Sequence, residues 1–433
     1  MTDQAESELL AEVSLGGFRE GAAPATDELP LSRNRDFLVV LIGQGLSAVG
    51  DAVTFTALPI LVLALTGSGL AMGVVGTLQT LPDLLIGLPA GALADRWDRR
   101  RMMLGADIGR ALLTAAIPLS VAFGGPTLLV IVLVTFPING LRVLWLAGYT
   151  AAVPSLVSHG QVGRANSVFE AVFNLGFIVG PGIAGVLAAV IGPGPTIAVD
   201  AVSFAVSSSA LLLIRRPMRA ARGAEPTHLL ADIRDGIAYV TGHRMLRVVI
   251  LYWALVQIGT GALVQAMTFH VETDRGLGPE VLGFILSGFG LGSLVGAVAA
   301  SRLVRGSLGR IMLLGTLATG ILLIGLALRP PVPVVVATAF LAGAAQSNVL
   351  IAYLTLRTTH SPDALLGRVG STARFVSVGM TPLGLLAGGL LIDAADGATA
   401  LAAMGAWMVL LTIVFGASSL VRNARSPAVR PTV

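Results

Sequence analysis

Apolar windows of roughly 20 residues, the length a helix needs to cross hydrocarbon, recur along this chain between short polar breaks. They fall near 37–64, 69–93, 102–123, 127–153, 166–190 and 196–214, then near 247–270, 280–301, 311–328, 332–356, 367–392 and 398–421. The pattern predicts an all-α membrane protein of twelve transmembrane helices in two pseudo-symmetric six-helix bundles, 36–214 and 247–421. Residues 1–35 are acidic and then polar, with Pro24 and Pro30, and read as a disordered N-terminal tail without the marks of a signal peptide. The long hydrophilic stretch 215–246 reads as the linker between bundles, and 422–433 as a C-terminal tail. Within the linker, Leu229, Leu230, Ile233, Ile237 and Val240 recur close to helical spacing, which fits either an interfacial amphipathic helix or a solvated tether.

Composition strengthens this picture. Hydrophobic residues make up 55% of the 433 and charged residues 12%, with a mean hydropathy of +0.85, outside the range of soluble domains. Cysteine is absent and the five histidines form no ligand-spaced cluster, so no metal or other cofactor is expected. Every basic residue is arginine, and the net charge of +4 lies at helix ends, where it sets orientation and does not mark a nucleic-acid surface. The loops holding Arg96 to Arg101, Arg164, Arg215 to Arg247, Arg302, Arg305, Arg310 and Arg368 lie on one side, with only Arg275 and Arg329 on the other. By the positive-inside rule both termini are cytoplasmic. The alanine-, glycine- and arginine-rich composition suggests a bacterial inner membrane.

The densest charge lies in GALADRWDRRRMM, between the second and third windows: Gly91, Asp95, Arg96, Asp98, Arg99, Arg100 and Arg101. A charged segment this short cannot lie in hydrocarbon and must form a tight turn between spans. The halves repeat as well. LGSLVGAVAASR precedes Arg302 and Arg305 with Ala300 where Asp95 would fall, and GRANSVF at the fifth span is echoed by GRVGSTARF at the eleventh. Such doubling suits a site between two pseudo-symmetric halves.

The loop resembles the signature of the major facilitator superfamily of secondary transporters. The linker and the first-span sequence GQGLSAVGDAVTFTALPILVLALTGS look like the branch containing macrolide-efflux and enterobactin-export proteins. Gly176, Gly180, Pro181 and Gly185 in the fifth span resemble the Gly-x-x-x-Gly-Pro motif of drug–proton antiporters, with Ala184 replacing one glycine. The resemblance implies that spans one, four, seven and ten line a central cavity. It also implies that Asp95 approaches the start of span eleven, where a helix N-terminus favours negative charge and the contact would hold the cytoplasmic side shut. Arg96 and Arg99 to Arg101 would then pair with Asp98 and Asp107, or with anionic lipid.

Ionisable residues inside spans are costly and need a partner or a function. Gln44, Ser47, Asp51 and Thr54 form one polar stripe on span one, and Thr135, Asn139, Arg142 and Tyr149 another on span four. If both face the cavity, Asp51 and Arg142 pair, as a proton-coupling device or as a permanent tie. Asp83 and Glu170 are further candidates for the titrating acid or for interior hydrogen bonding. Asp107 and Arg110 have the spacing of a local helix pair bracing the basic loop. Trp253, Gln257, Gln265, Gln346, Asn348 and Tyr353 are the substrate-cavity candidates of the second half, a mostly apolar set suited to an amphipathic organic compound.

These features predict a monomeric, proton-coupled exporter of a hydrophobic or amphipathic small molecule such as a drug, siderophore or secondary metabolite. A major facilitator importer of a nutrient or metabolite is the alternative. A nucleotide-driven pump lacks its Gly-x-x-x-x-Gly-Lys loop here, a membrane enzyme its catalytic cluster, and a sensor its added soluble domain.

Overall fold

The computed structural model describes residues 30–214, 229–303 and 306–425; the expected N-terminal tail, the first part of the linker and the last residues lie outside them. Eleven helices among the described residues are long and apolar enough to cross a membrane. In chain order, spans one and three to six are Arg35–Thr66, Arg99–Ala122, Thr127–Leu156, Val162–Ile191 and Ala198–Leu212. Span seven runs through Arg244–Thr260 and Leu263–Phe269, and spans eight to twelve are Pro279–Leu303, Leu308–Ala327, Val332–Thr359, Leu366–Ala394 and Gly397–Gly416. Span two is the twelfth, broken into Gly69–Leu85 and Gly87–Arg96. The break has a covalent cause: Pro89 has no N–H to give the Leu85 carbonyl, and Gly87 beside it weakens the helix further.

Several helix starts are capped by a side-chain acceptor. Asn34 Oδ1 accepts from Phe37 N at 3.1 Å, and Asp98 Oδ1 from Arg101 N at 3.0 Å. Gly67, at φ 64°, closes span one in the left-handed conformation that glycine adopts without penalty. Span two's second segment reaches Arg96 and span three starts at Arg99, so the charged turn is shorter than the sequence suggested.

The six-span sets pack on each other chiefly through span five against span eight and span two against span eleven. At the end remote from the termini the contact is close: Gly185 lies against Pro279 and Gly283, and Gly73 against the Leu385 backbone. Toward the end bearing the termini, span two's second segment leans on span four. On that side a cavity of about 500 Å³ opens among spans seven, ten and eleven.

The linker helix Leu229–Gly242 is neither a free tether nor isolated in an interface. It packs on span eleven, with Asp235 3.2 Å from Arg368 and Val240 in the core built around Leu246, Tyr252 and Tyr353. The side chains of Leu229, Leu230 and Ile233 lie outside the described residues, and Ile237 is exposed.

Candidate functional site

Two sets of interior charges stand out, one inside the first bundle and one between the bundles, and neither contains the expected Asp51–Arg142 pair. Asp51 of span one bonds Arg110 of span three, whose side chain is 2% exposed. The Arg110 guanidinium lies 3.8 Å from the centre of the Phe204 ring, a cation–π contact, and 3.9 Å from Asp107. Asp107 does not brace the basic loop: fully buried, it accepts from Trp145 Nε1 at 3.1 Å and Ser207 Oγ at 2.7 Å, tying span three to spans four and six.

Asp200 of span six completes this cluster. It is buried, takes the Thr54 hydroxyl at 2.7 Å and the Ser203 hydroxyl at 3.2 Å, and its carboxylate lies against Gly50, next to Asp51 in the chain. Two carboxylates thus reach the Arg110 guanidinium, and a third, Asp200, is held beside span one at Gly50 and Thr54. The span-one stripe packs inward against this cluster, not toward an open cavity, with Gln44 and Ser47 buried. Asp200 was not singled out from sequence, although serines three and seven residues later (Ser203, Ser207) share its helical face.

The second set stands between the bundles. Arg142 of span four bonds Asp83 of span two, and Arg374 of span eleven reaches the other oxygen of Asp83 at 3.5 Å. Asp83 therefore ties both bundles together, one arginine from each side. Arg374 was not anticipated, because at the sequence level it reads as part of a cytoplasmic helix start. Asn139 donates to the Thr135 carbonyl at 3.0 Å. Glu170 is exposed on span five, with Asn174 donating to its backbone carbonyl at 2.7 Å, so it is not an interior hydrogen-bonding acid.

In the basic loop Asp98 is a helix cap, and Arg100 donates to the Leu211 and Leu212 carbonyls at 2.9 and 2.8 Å, closing the end of span six. This replaces the expected pairing of Arg100 with Asp98 and Asp107. Asp95's side chain, and with it the expected contact to span eleven, lies outside the described residues, as do the Arg302 side chain and Arg305. Gly91 has open space where a side chain would project.

The glycine motif of span five faces two ways. Gly176 and Gly180 lie against Ala48 and Ala52 of span one, while Gly185 and the Pro181 carbonyl meet span eight at Gly283. Gly182 N donates to Ser287 Oγ at 2.9 Å across the same seam. A side chain at Gly176 or Gly180 would strike span one and one at Gly185 the backbone of span eight, so the motif sets how closely span five approaches both its own bundle and the other.

Trp253, Gln257 and Tyr353 line the 500 Å³ cavity with Arg357, Arg374 and Ser377. Trp253 and Tyr353 stack with centroids 5.0 Å apart, and Arg357 lies 5.6 Å from the Tyr353 ring. Gln265 is not on this wall; it is buried near Gly76 of span two in the closed part of the seam. Gln346 Oε1 and Asn348 Oδ1 are buried in span ten without a protein partner among the described residues. At the remote end, hydrogen bonds from Thr399 hold the Asp396 carboxyl below its ordinary range, with Arg329 3.6 Å away.

Known proteins place this architecture. Residues 27–431 match the family model described as transmembrane secretion effector. A multidrug efflux pump, Tap, of Mycolicibacterium fortuitum is 33% identical over 388 residues, 87% of this chain and 94% of its own. Macrolide efflux protein A of Streptococcus pyogenes is 24% identical over 230 residues, covering 52% of this chain and 54% of its own. The nucleoside transporter NupG superposes with a TM-score of 0.76 at 14% identity over 88% of this chain and 98% of its own. A bacterial homologue of the iron transporter ferroportin in an inward-facing state superposes at 0.70 with 16% identity, covering 88% and 98%. Twelve spans, a seam closed at one end over a cavity at the other, and these likenesses agree: the chain is a transporter, not an enzyme, and belongs to the transmembrane secretion effector family of the major facilitator superfamily.

Proposed function

We propose that the chain is a proton-coupled exporter of hydrophobic or amphipathic small molecules in a bacterial inner membrane, with both termini cytoplasmic. In that orientation the cavity opens to the cytoplasm and the seam is shut to the outside. The 33% identity to a multidrug efflux pump supports the direction and the substrate class. The stacked Trp253–Tyr353 wall supports an amphipathic ligand, apolar on one face and polar near Gln257 and Ser377.

The observation that carries proton coupling is a set of three interior carboxylates with one guanidinium: part-buried Asp51 and buried Asp107 on Arg110, and buried Asp200 beside span one at Thr54. Charges in a membrane interior are costly unless paired, so a set with three acids and one base has room for a proton. Asp51 is the member with access: its side chain is 17% exposed, against 0% for Asp107. A proton arriving on Asp51 weakens its hold on Arg110 and frees span one from span three, which biases the two access states differently. Asp83, shared by Arg142 and Arg374, is the link by which a ligand in the cavity alters the contact between bundles. Arg96, Arg99 and Arg101 at the cytoplasmic face meet anionic lipid.

The test is efflux of a panel of lipophilic dyes and antibiotics from cells expressing the chain, with and without a protonophore. Protonophore-sensitive loss of compound is the expected result. Accumulation in place of loss would favour the importer reading.

A further inference from the structure

The first turn of span two leaves backbone N–H groups with no partner in their own helix. They are taken by a side chain of the other bundle. Asp393, in the last turn of span eleven, accepts from Gly69 N on Oδ1 and, on Oδ2, from Leu70 N at 3.1 Å and the Ser68 hydroxyl at 2.7 Å. Ser68 is also the helix's own cap, its Oγ taking Ala71 N at 3.1 Å. The carboxylate therefore sits on the positive end of a helix dipole and receives three hydrogen bonds, the kind of contact that charge strengthens.

The surrounding backbone is built for this approach. A side chain at Gly69 would strike Ile392, one at Gly389 would strike the Gly69 carbonyl, and one at Gly73 the Leu385 carbonyl. Spans two and eleven belong to different bundles. A movement that parts spans two and eleven at the remote end would break these three hydrogen bonds.

We infer that Asp393 is the gating carboxylate of the remote end, acting there as Asp95 is expected to act at the end bearing the termini. Spans two and eleven run antiparallel across the seam. Each carries an acid near its end, Asp95 on span two and Asp393 on span eleven, and Asp393 is bonded to the start of span two. The access states are then held by two carboxylate-to-helix latches of one design, closed in alternation. This rests on alternating access between the bundles but not on substrate, direction or proton coupling.

The chain has no cysteine, so label sites can be introduced singly. Spin labels at Leu65→Cys and Ala395→Cys, both exposed, report the width of the remote end in the full-length protein in lipid nanodiscs without substrate. Asp393→Asn keeps the size but loses one acceptor and the charge. It should raise the ratio of wide to narrow distances about tenfold, as expected for losing charge-assisted bonds from one state only. Asp393→Ala should do at least as much, Ser68→Ala less, and Asp95→Asn should move the ratio the other way. A folded Asp393→Asn protein with the wild-type distance distribution would overturn the inference, whatever Asp393→Ala does to folding. Because no substrate is present, a failed efflux assay and a failed latch are separate results.

Discussion

Spans one and three and their repeat counterparts, spans seven and nine, solve the same packing problem with different chemistry. In the first bundle the tie is the Asp51–Arg110 ion pair, its arginine buried, with Asp107 on Arg110 and Asp200 on Thr54 nearby. In the second it is a neutral hydrogen bond, Tyr252 Oη to Thr316 Oγ1 at 2.6 Å, inside a core of Leu246, Val249 and Met312. A neutral pair is enough to hold such helices together. Replacing a buried ion pair by apolar packing is often neutral or stabilising, so the charges of the first bundle are not explained by stability. On the proposed reading, the first bundle carries the chemistry and the second much of the cavity wall.

The sharpest way to break this comparison is Arg110→Leu. It leaves Asp51 and the buried Asp107 without their cation and should destabilise the protein by about 3–5 kcal/mol, read as a lost or strongly lowered unfolding transition in detergent. If that variant keeps wild-type stability, the acids do not depend on Arg110. Gly180→Val comes next: its side chain would strike Ala52 and the Val49 carbonyl, and transport should fall at least tenfold while the protein remains in the membrane. Arg142→Ala frees Asp83 from one of its two arginines and should lower flux several-fold with little loss of folded protein; unaltered flux would remove Asp83 from the transport path. Tyr252→Phe loses one neutral hydrogen bond and should cost about 1 kcal/mol, with efflux intact. A Tyr252→Phe loss as large as that of Arg110→Leu would erase the contrast between bundles.

The spans were legible because apolar length and arginine placement are properties of the chain itself. The sequence also pointed to Asp51, Asp83 and Arg142 as interior charges, because charge inside an apolar window is visible without a structure, whereas Asp107 and Arg110 read as a local pair bracing the basic loop. Their partners were not legible. Periodicity gives the face of a helix but not its rotation against its neighbours, and both observed pairs join residues 59 apart through that rotation. Turning span one toward spans three and six is what gave Asp51 to Arg110 and left Arg142 to Asp83. Asp200 and Asp393 were missed for a related reason: an acid near the end of a span reads as solvated until the structure shows what stands against it.

The central claim is that the Asp51 set couples a proton to transport. Its most direct test is proton movement in proteoliposomes containing wild-type protein or Asp51→Asn, followed with a pH-sensitive dye while a transported compound is added. The account predicts substrate-dependent proton flux in the wild type, and for Asp51→Asn substrate binding without proton flux. Equal proton flux in both proteins would contradict it.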